Sequence, residues 1–592
     1  MSNVERTPNR PSRRPVFPVL LVAFGGAVPL AACSHVPAAD TVLIHCAVHT
    51  MDGDGVDEAI VVRDGLIEAV GSADMGRRYI GDETEVIDCA EGGWAVLPGF
   101  IDAHTHLVWS GTELQDVDLF SATTLDELMA PIVAHATVFP DAAWVRGAGW
   151  DISRFDGELG RGQLDAIVPD RPVYMASADA HSAWVSTLAL AEAGITADTP
   201  DPVGGIIERD ENGEPTGILR ENAMALVEAV LPPYDDAQVD TGLEAALREA
   251  NGFGLTAIVD ANIDAWMLDG YRRFEDQDRL TVRVHGAVEV SPEDGADALP
   301  TVRALAATYD SPLVKVDAIK LYLDGIIETQ TALMLEPYID GTNGERLFPD
   351  EVLMETVRAF DDAGFGLHAH TLGDGAVRQM LDALEWLEEV SGPADRRPLL
   401  AHLEVIDPAD VPRFAALGAY ADFQPLWAYP DSYIQDLTWP VIGEERSEWL
   451  YPIGAVLAAG GTVVAGSDWS VSSMNPFEAC EVAVTRMDPR DGGEVLTPRH
   501  RITVAECLAA YTRDGARAIR REEDLGRLVP GAIADLVLVD SDPFEIDPAQ
   551  LSDVLVLKTF LGGRLVFDAA AQPRAYRASR RRHARPEHRT GG

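Results

Sequence analysis

Pro98-Gly99-Phe100-Ile101-Asp102-Ala103-His104-Thr105-His106 is the stretch that decides the fold. An apolar run ends in two histidines one residue apart. The two-residue period of a strand puts Asp102, His104 and His106 on one face. On a barrel strand that face is the interior at the C-terminal mouth, where barrel active sites lie. Two imidazoles side by side there can bind one metal ion.

Outward from this stretch the chain alternates apolar strand-like runs with helical ones, the mark of βα units and a parallel sheet. Candidate strands are Ala95–Ala103, Pro172–Ser177, Thr256–Asp260, Val282–Val288, Val316–Leu323, Phe365–His370, Pro398–Val405, Ala419–Gln424 and Thr462–Ser467. The region between Gly111 and Pro233 is long and irregular, so Pro172–Ser177 is assigned to an insertion. The other eight fit a (β/α)₈ TIM-type barrel. Short apolar stretches broken by Gly and Asp recur near both ends, at Thr41–Ile87 and Ala534–Leu557, and suggest one small β-sandwich closed by the two ends. The expected division is 41–95 with 525–568 as the sandwich, 96–110 with 234–524 as the barrel, and 111–233 as an inserted α+β subdomain.

Other strand ends repeat the chemistry of the first. Gly366-Leu367-His368-Ala369-His370 puts His368 and His370 on one face, and Leu400-Ala401-His402 supplies another strand-borne histidine. Val464-Ala465-Gly466-Ser467-Asp468 ends in a carboxylate. Independent core histidines would not collect at strand ends in barrel order, and mixed His and carboxylate ligands without Cys favour zinc or a similar divalent ion. Lys320, in Ala318-Ile319-Lys320-Leu321-Tyr322, alternates inward. It is one of only three lysines, with Lys315 and Lys558. A buried lysine is rare without a partner. Apolar burial would favour the neutral amine, which can react with carbon dioxide to a carbamate; a salt bridge to Asp324 or Asp468 is the plain alternative.

The chain has 592 residues and a net charge of −51, which disfavours nucleic acid and anionic lipid surfaces as partners. Arg10, Arg13 and Arg14 precede an apolar run from Val16 to Ala32 ending Leu30-Ala31-Ala32-Cys33. This reads as a secretory signal over 1–33 with a lipobox-like end, and Ser12-Arg13-Arg14 is similar to a twin-arginine signal. The expected location is the bacterial cell envelope, lipid-anchored at Cys33, with a cytoplasmic protein as the alternative. Besides Cys33 there are Cys46, Cys89, Cys480 and Cys507. Four scattered cysteines suggest no disulfide framework, although an oxidising compartment would allow a Cys46–Cys89 bridge. Residues 574–592 are Arg-rich with little apolar content and read as a solvated, disordered basic tail.

With these residues on the page the chain resembles the amidohydrolase superfamily, and within it the amidohydrolase-3 group that includes N-substituted formamide deformylases. The resemblance runs from Thr41 to Asp568. It rests on Pro98–His106, Gly204–Asp210 with Pro215–Leu219, Lys320…Asp324-Gly325, His370-Thr371-Leu372-Gly373-Asp374, His402, Gln424-Pro425, Gly466-Ser467-Asp468-Trp469 and Gly531–Leu536. It implies that His104, His106 and Asp468 bind one metal, that His370 and His402 bind a second, and that a carboxylated Lys320 bridges them; members of the group use one metal or two, so the count is one or two ions. Ala401 stands where the group usually has Glu, and Thr371-Leu372 where it often has Ala-Ile; both departures point to an altered pocket. His181 matches a histidine recurring in the group and is the candidate to polarise a carbonyl. His368 is read as support behind the ligands, Asp374 as the group orienting His370, and Trp109, Trp150, Trp427 and Trp469 as candidate walls for the substrate.

The expected activity is hydrolysis of an amide, formamide or cyclic amide of a small molecule by a metal-activated water, with Asp468 moving the proton. A deaminase on the same scaffold and a non-catalytic lipid-anchored binding protein are the rivals, and a second copy of the chain is a candidate partner.

Overall fold

The computed structural model describes residues 38–53, 55–140, 142–155 and 157–572. Its centre is a sheet of eight parallel strands: β1 (Phe100–Thr105), β2 (Leu255–Asp260), β3 (Arg283–Glu289), β4 (Val314–Tyr322), β5 (Gly366–Thr371), β6 (Leu399–His402), β7 (Tyr420–Phe423) and β8 (Thr462–Ala465). Each pairs with the next in chain order. The ring closes through a short seam between the ends of β8 and β1. There Thr105 pairs with Trp469, and the N–H groups of Ser467 and Asp468 donate to the His104 carbonyl at 3.1 and 2.7 Å. Gly466 is required at this seam, since a Cβ there would lie 2.6 Å from His104 backbone.

The strands are covered on both faces, so they read as nearly continuous apolar runs; every residue of Leu255–Asp260 and Leu399–His402 is buried. The outer layer is helical. In Asp350–Asp362, Leu353, Thr356, Val357 and Phe360 recur at the spacing of a single helix face and are the buried ones. Inside the barrel, Asp102, His104, Lys320, His368 and Asp422 are all at most 1% exposed. Barrel interiors are normally filled by branched apolar side chains, so this polar core marks the site.

Two further sheets flank the barrel. Strands from both chain ends join in one eight-stranded sheet, in which Ala95–Pro98 lies between Leu536–Val539 and Thr41–His49. The expected strand Ala95–Ala103 is therefore two strands. Ala95–Pro98 belongs to the end sheet and Phe100–Thr105 to the barrel, and they part at Gly99, where a Cβ would meet the Thr256 hydroxyl at 2.2 Å. Arg283 on β3 donates two hydrogen bonds to Asp535, at 2.8 and 3.1 Å, tying the end sheet to the barrel. The insertion forms a six-stranded sheet that contains Val173–Ser177, Ser182–Val185 and Pro215–Glu221.

The cysteine reading needs correction. Cys46 is bonded to Cys89, and Cys480 to Cys507. The second pair was invisible as spacing because it links two helices, Pro476–Thr485 and Val504–Ala510, that only the barrel brings together. The signal segment and the basic tail lie outside the described residues. Among the described residues no helix is long and apolar enough to cross a membrane.

Candidate metal centre

The residues expected to hold metal converge at the C-terminal mouth of the barrel. His104 ends the inward face of β1, and its Nε2 lies 3.2 Å from Lys320 Nζ and 3.5 Å from Asp468 Oδ1. His106 follows the strand, with Nε2 3.1 Å from the same carboxylate oxygen. The rings of His370 and His402 are 4.6 Å apart, and His402 is 4.7 Å from His104. The β4–β5 register sets Lys320 beside His368 and Tyr322 beside His370. Lys320 makes no ion pair within 4 Å among the described residues, so the alternative of a salt bridge to Asp324 or Asp468 does not form; its hydrogen-bond partner is His104.

Three ligand candidates have one ring nitrogen committed behind the site. His370 Nδ1 contacts Asp324 at 3.2 Å, His402 Nδ1 contacts Gln424 Oε1 at 2.8 Å, and His104 Nδ1 contacts His368 Nε2 at 2.9 Å and Asp422 at 3.4 Å. Such partners fix the tautomer and ring orientation of metal-binding histidines, and they leave Nε2 as the nitrogen available to a metal, that of His104 facing Lys320 Nζ at 3.2 Å. Asp374, expected to orient His370, instead accepts from the Leu335 N–H at 2.8 Å. Asp324 takes that place, anchored by the N–H groups of Leu333, Leu372 and Gly373 at 2.9 to 3.2 Å.

Burial, then the charge of Lys320, holds His104 and His368 well below the usual imidazole range; burial and His402 do so for His370. Burial takes His402 to about 3 and Lys320 to about 8. These imidazoles are neutral, with lone pairs available. Burial opposes ionisation of Asp468, but its His106 hydrogen bond and the Lys320 ammonium help carry the carboxyl down to about 2. His106 Nδ1 and both Asp422 oxygens are buried without a hydrogen bond. Neutral histidines, an ionised carboxylate and orphaned donors, with no thiol among them, fit a divalent ion of the zinc class. Two sets, His104–His402–Asp468 and His104–His368–Asp422, each bring their ligand atoms within 4.8 Å of one another.

The backbone is strained where ligands sit. His402, Leu403 and Asp468 adopt φ of +75°, +53° and +52°, a region non-glycine residues rarely enter and one that clusters at functional sites.

His181 comes from the insertion and stands 5.7 Å from His370, ring to ring. Its Nδ1 is 2.7 Å from Glu221 Oε2. The two meet because Ser182–Val185 pairs antiparallel with Pro215–Glu221, and the Glu221 N–H donates to the His181 carbonyl. Burial works against the imidazolium, but Glu221 outweighs it and raises His181 to about 9. Sequence reading missed Glu221; no local signal marks it, because the two strands that pair here are separated in the chain by a helix and another strand. A cavity of about 510 Å³ opens over His181, His370, His402 and Asp468. Trp427, stacked on His402 at 5.6 Å and 4°, and Trp469 form part of its wall. Trp109 lines a separate cavity of about 960 Å³, and Trp150 is core, donating to the Met175 carbonyl.

A parallel barrel with inward histidines and a buried lysine at its mouth defines a class, the metal-dependent hydrolases. Residues 85–567 match the amidohydrolase family, and the chain belongs to that family. It is an enzyme that acts on carbon–nitrogen bonds of small molecules. The chain is 30% identical over 536 residues to the amidohydrolase YtcJ of Bacillus subtilis strain 168, covering 88% of this chain and 98% of that protein. It is 28% identical over 541 residues to an N-substituted formamide deformylase of Arthrobacter pascens, covering 89% and 98%. An uncharacterized metal-dependent hydrolase of Pyrococcus furiosus, 24% identical, shares the fold with a TM-score of 0.67 over 85% of this chain and all of that one.

Proposed function

We propose that the protein hydrolyses a formamide or other amide, linear or cyclic, at the barrel mouth, with zinc bound by His104, His106, His370, His402 and Asp468 and with Lys320 as a carbamate between them. Zinc there would supply a Lewis acid and shift the pKa of water toward about 7. The observation that carries the reading is the convergence of neutral imidazoles and an ionised carboxylate on one cavity, with the buried amine of Lys320 against His104 behind it. The name of the Arthrobacter relative supports a formyl or acyl amide.

Asp468 accepts the proton of the attacking water and returns it to the leaving nitrogen. Its oxygens face His106, His104 and the cavity, and its low pKa keeps it ionised at working pH. His181, held as imidazolium by Glu221, has its other N–H free to donate to the substrate carbonyl. The buried walls limit competing water.

The test is product analysis on metal-loaded protein with N-formyl and N-acyl amines. Release of formate or carboxylate with the free amine is expected, together with zinc by mass spectrometry. Release of ammonia from a ring carbon, or full turnover by verified metal-free protein, would overturn the reading.

We also propose that the protein is exported and anchored at Cys33. The two bonded cysteine pairs suit an oxidising compartment. Recovery of the protein in the soluble cytoplasmic fraction, unchanged by Cys33→Ser, would refute this.

A further inference from the structure

The cavity over the centre is acidic and aromatic at once. Asp179, Glu328, Glu404 and Asp431 line it in addition to Asp468, alongside Trp427, Tyr429, Tyr433 and Trp469. Among the described residues none of these first four carboxylates has a Lys or Arg within 4 Å. Arg490 is the one Lys or Arg on the lining; its side chain is 71% exposed and stands 4.0 Å from Glu478.

Asp431 accepts from the Ile434 N–H and Asp179 Oδ1 from the His181 N–H, but the other two carboxyl groups are short of hydrogen bonds. Glu328 and Glu404 depend on one hydroxyl, Thr438 Oγ1, at 3.0 and 3.2 Å. A single O–H donates to one acceptor at a time, so one of the pair is always left without it. Asp179 Oδ2 and the Tyr433 hydroxyl are buried with no partner. Burial, with Asp179 and Asp431 adding to it, pushes Glu328 up to about 7. The acidity of the whole chain does not account for this. Surface carboxylates are solvated, whereas a buried carboxylate without a counter-charge is costly unless something pairs with it. Aromatic faces beside it stabilise a cation further.

We propose that the substrate carries a cationic nitrogen, of the ammonium or quaternary ammonium class, seated between Glu328, Glu404 and the aromatic wall beside the scissile amide. This rests on the amide-hydrolase reading for the reaction and adds the charge of the substrate. An anionic substrate would meet four carboxyl groups that no Lys or Arg pairs; the cations on the lining are Arg490 at the rim and the His181 imidazolium, which Glu221 already pairs.

The test separates charge from turnover. Choline and its uncharged isostere 3,3-dimethylbutanol are titrated calorimetrically into the metal-loaded full chain. Choline is expected to bind at least about tenfold more tightly, a ratio within reach of a desolvated cation–aromatic and carboxylate site. That ratio should fall toward one in Glu328→Gln and in Glu404→Gln variants that retain their metal. Equal affinities, no detectable choline binding, or a preference untouched by both variants would overturn the proposal. N-formyl amines bearing trimethylammonium, tert-butyl or carboxylate groups are assayed in parallel. If none is hydrolysed while choline is still preferred, the hydrolysis reading fails and the cation site stands.

Discussion

Replacing Asp468 by Asn isolates the proton-transfer role from the architecture. The position has φ of +52°, where Asn is among the few side chains at ease. Its N–H still donates to the His104 carbonyl at 2.7 Å, so the barrel seam is kept. The substituted amide retains an oxygen beside His106 and His104, which the carboxylate approaches at 3.1 and 3.5 Å. What is lost is a base ionised at every working pH, its carboxyl lying at about 2. A positioned general base contributes about 10²–10⁴-fold, or about 2.7–5.4 kcal/mol of barrel-mouth barrier lowering at ~1.36 kcal/mol per decade. The variant should therefore be folded by circular dichroism, should carry metal by mass spectrometry, and should have kcat for amine release lowered at least about 10²-fold. A metal-loaded variant within about threefold of the parent kcat would refute the assignment, and the base would then be sought at His181 or His368.

Prolonged chelation should abolish turnover and zinc should restore it, as read by assays paired with metal analysis. Lys320→Ala should lower the metal content, and acetate or formate should partly restore activity by standing in for the carbamate; unchanged metal would make Lys320 structural. His181 is raised from 6.5 to about 9 in the folded chain, so the stability this contributes is complete below pH 6.5 and is lost as pH rises through 9. Denaturant midpoints should fall over that interval in the parent and stay flatter in Glu221→Gln. Paired Cys480→Ser and Cys507→Ser replacements open a loop with a sequence separation of 27; loop-closure entropy puts the loss at ~3.5 kcal/mol, and an unchanged thermal midpoint would contradict it.

The inward-facing polar residues were legible because they sit on or just past apolar runs, where period two fixes which residues face inward. That rule plus barrel order picks out His104, Lys320, His370, His402 and Asp468; their division between metals comes from the family resemblance. The groups that hold the ligands were not legible in the same way. The sequence offers Asp374 as the group orienting His370, yet it is Asp324 that reaches His370, because β4 and β5 pair Tyr322 with His370. Asp422 and Gln424, on and just after β7, carry no local signal; they act on His104 and His402 only once neighbouring strands are in register. Glu221 lies 40 residues from His181 and meets it through the antiparallel pairing of two strands not adjacent in the chain. Spacing therefore reveals what points inward, while pairing register decides what supports it.

Barrel closure and the shape of the centre share the same residues. The Asp102 carboxylate accepts from the His104 N–H at 3.1 Å, the Ser467 N–H at 3.0 Å and the Ser467 hydroxyl at 2.6 Å. The carbonyl of His104 accepts the N–H groups of Ser467 and Asp468. This web joins the first strand to the last, and it also fixes the separation between the imidazole of His104 and the carboxylate of Asp468. Gly466 admits no side chain there because His104 backbone occupies the space. The left-handed backbone at Asp468 is held by the same bonds; such strain persists only where the surroundings over-determine it. A barrel that failed to close would leave His104 and Asp468 without a common geometry, however many of the other ligands were in place. The seam is thus the part of the fold on which the geometry of His104 and Asp468 depends most directly.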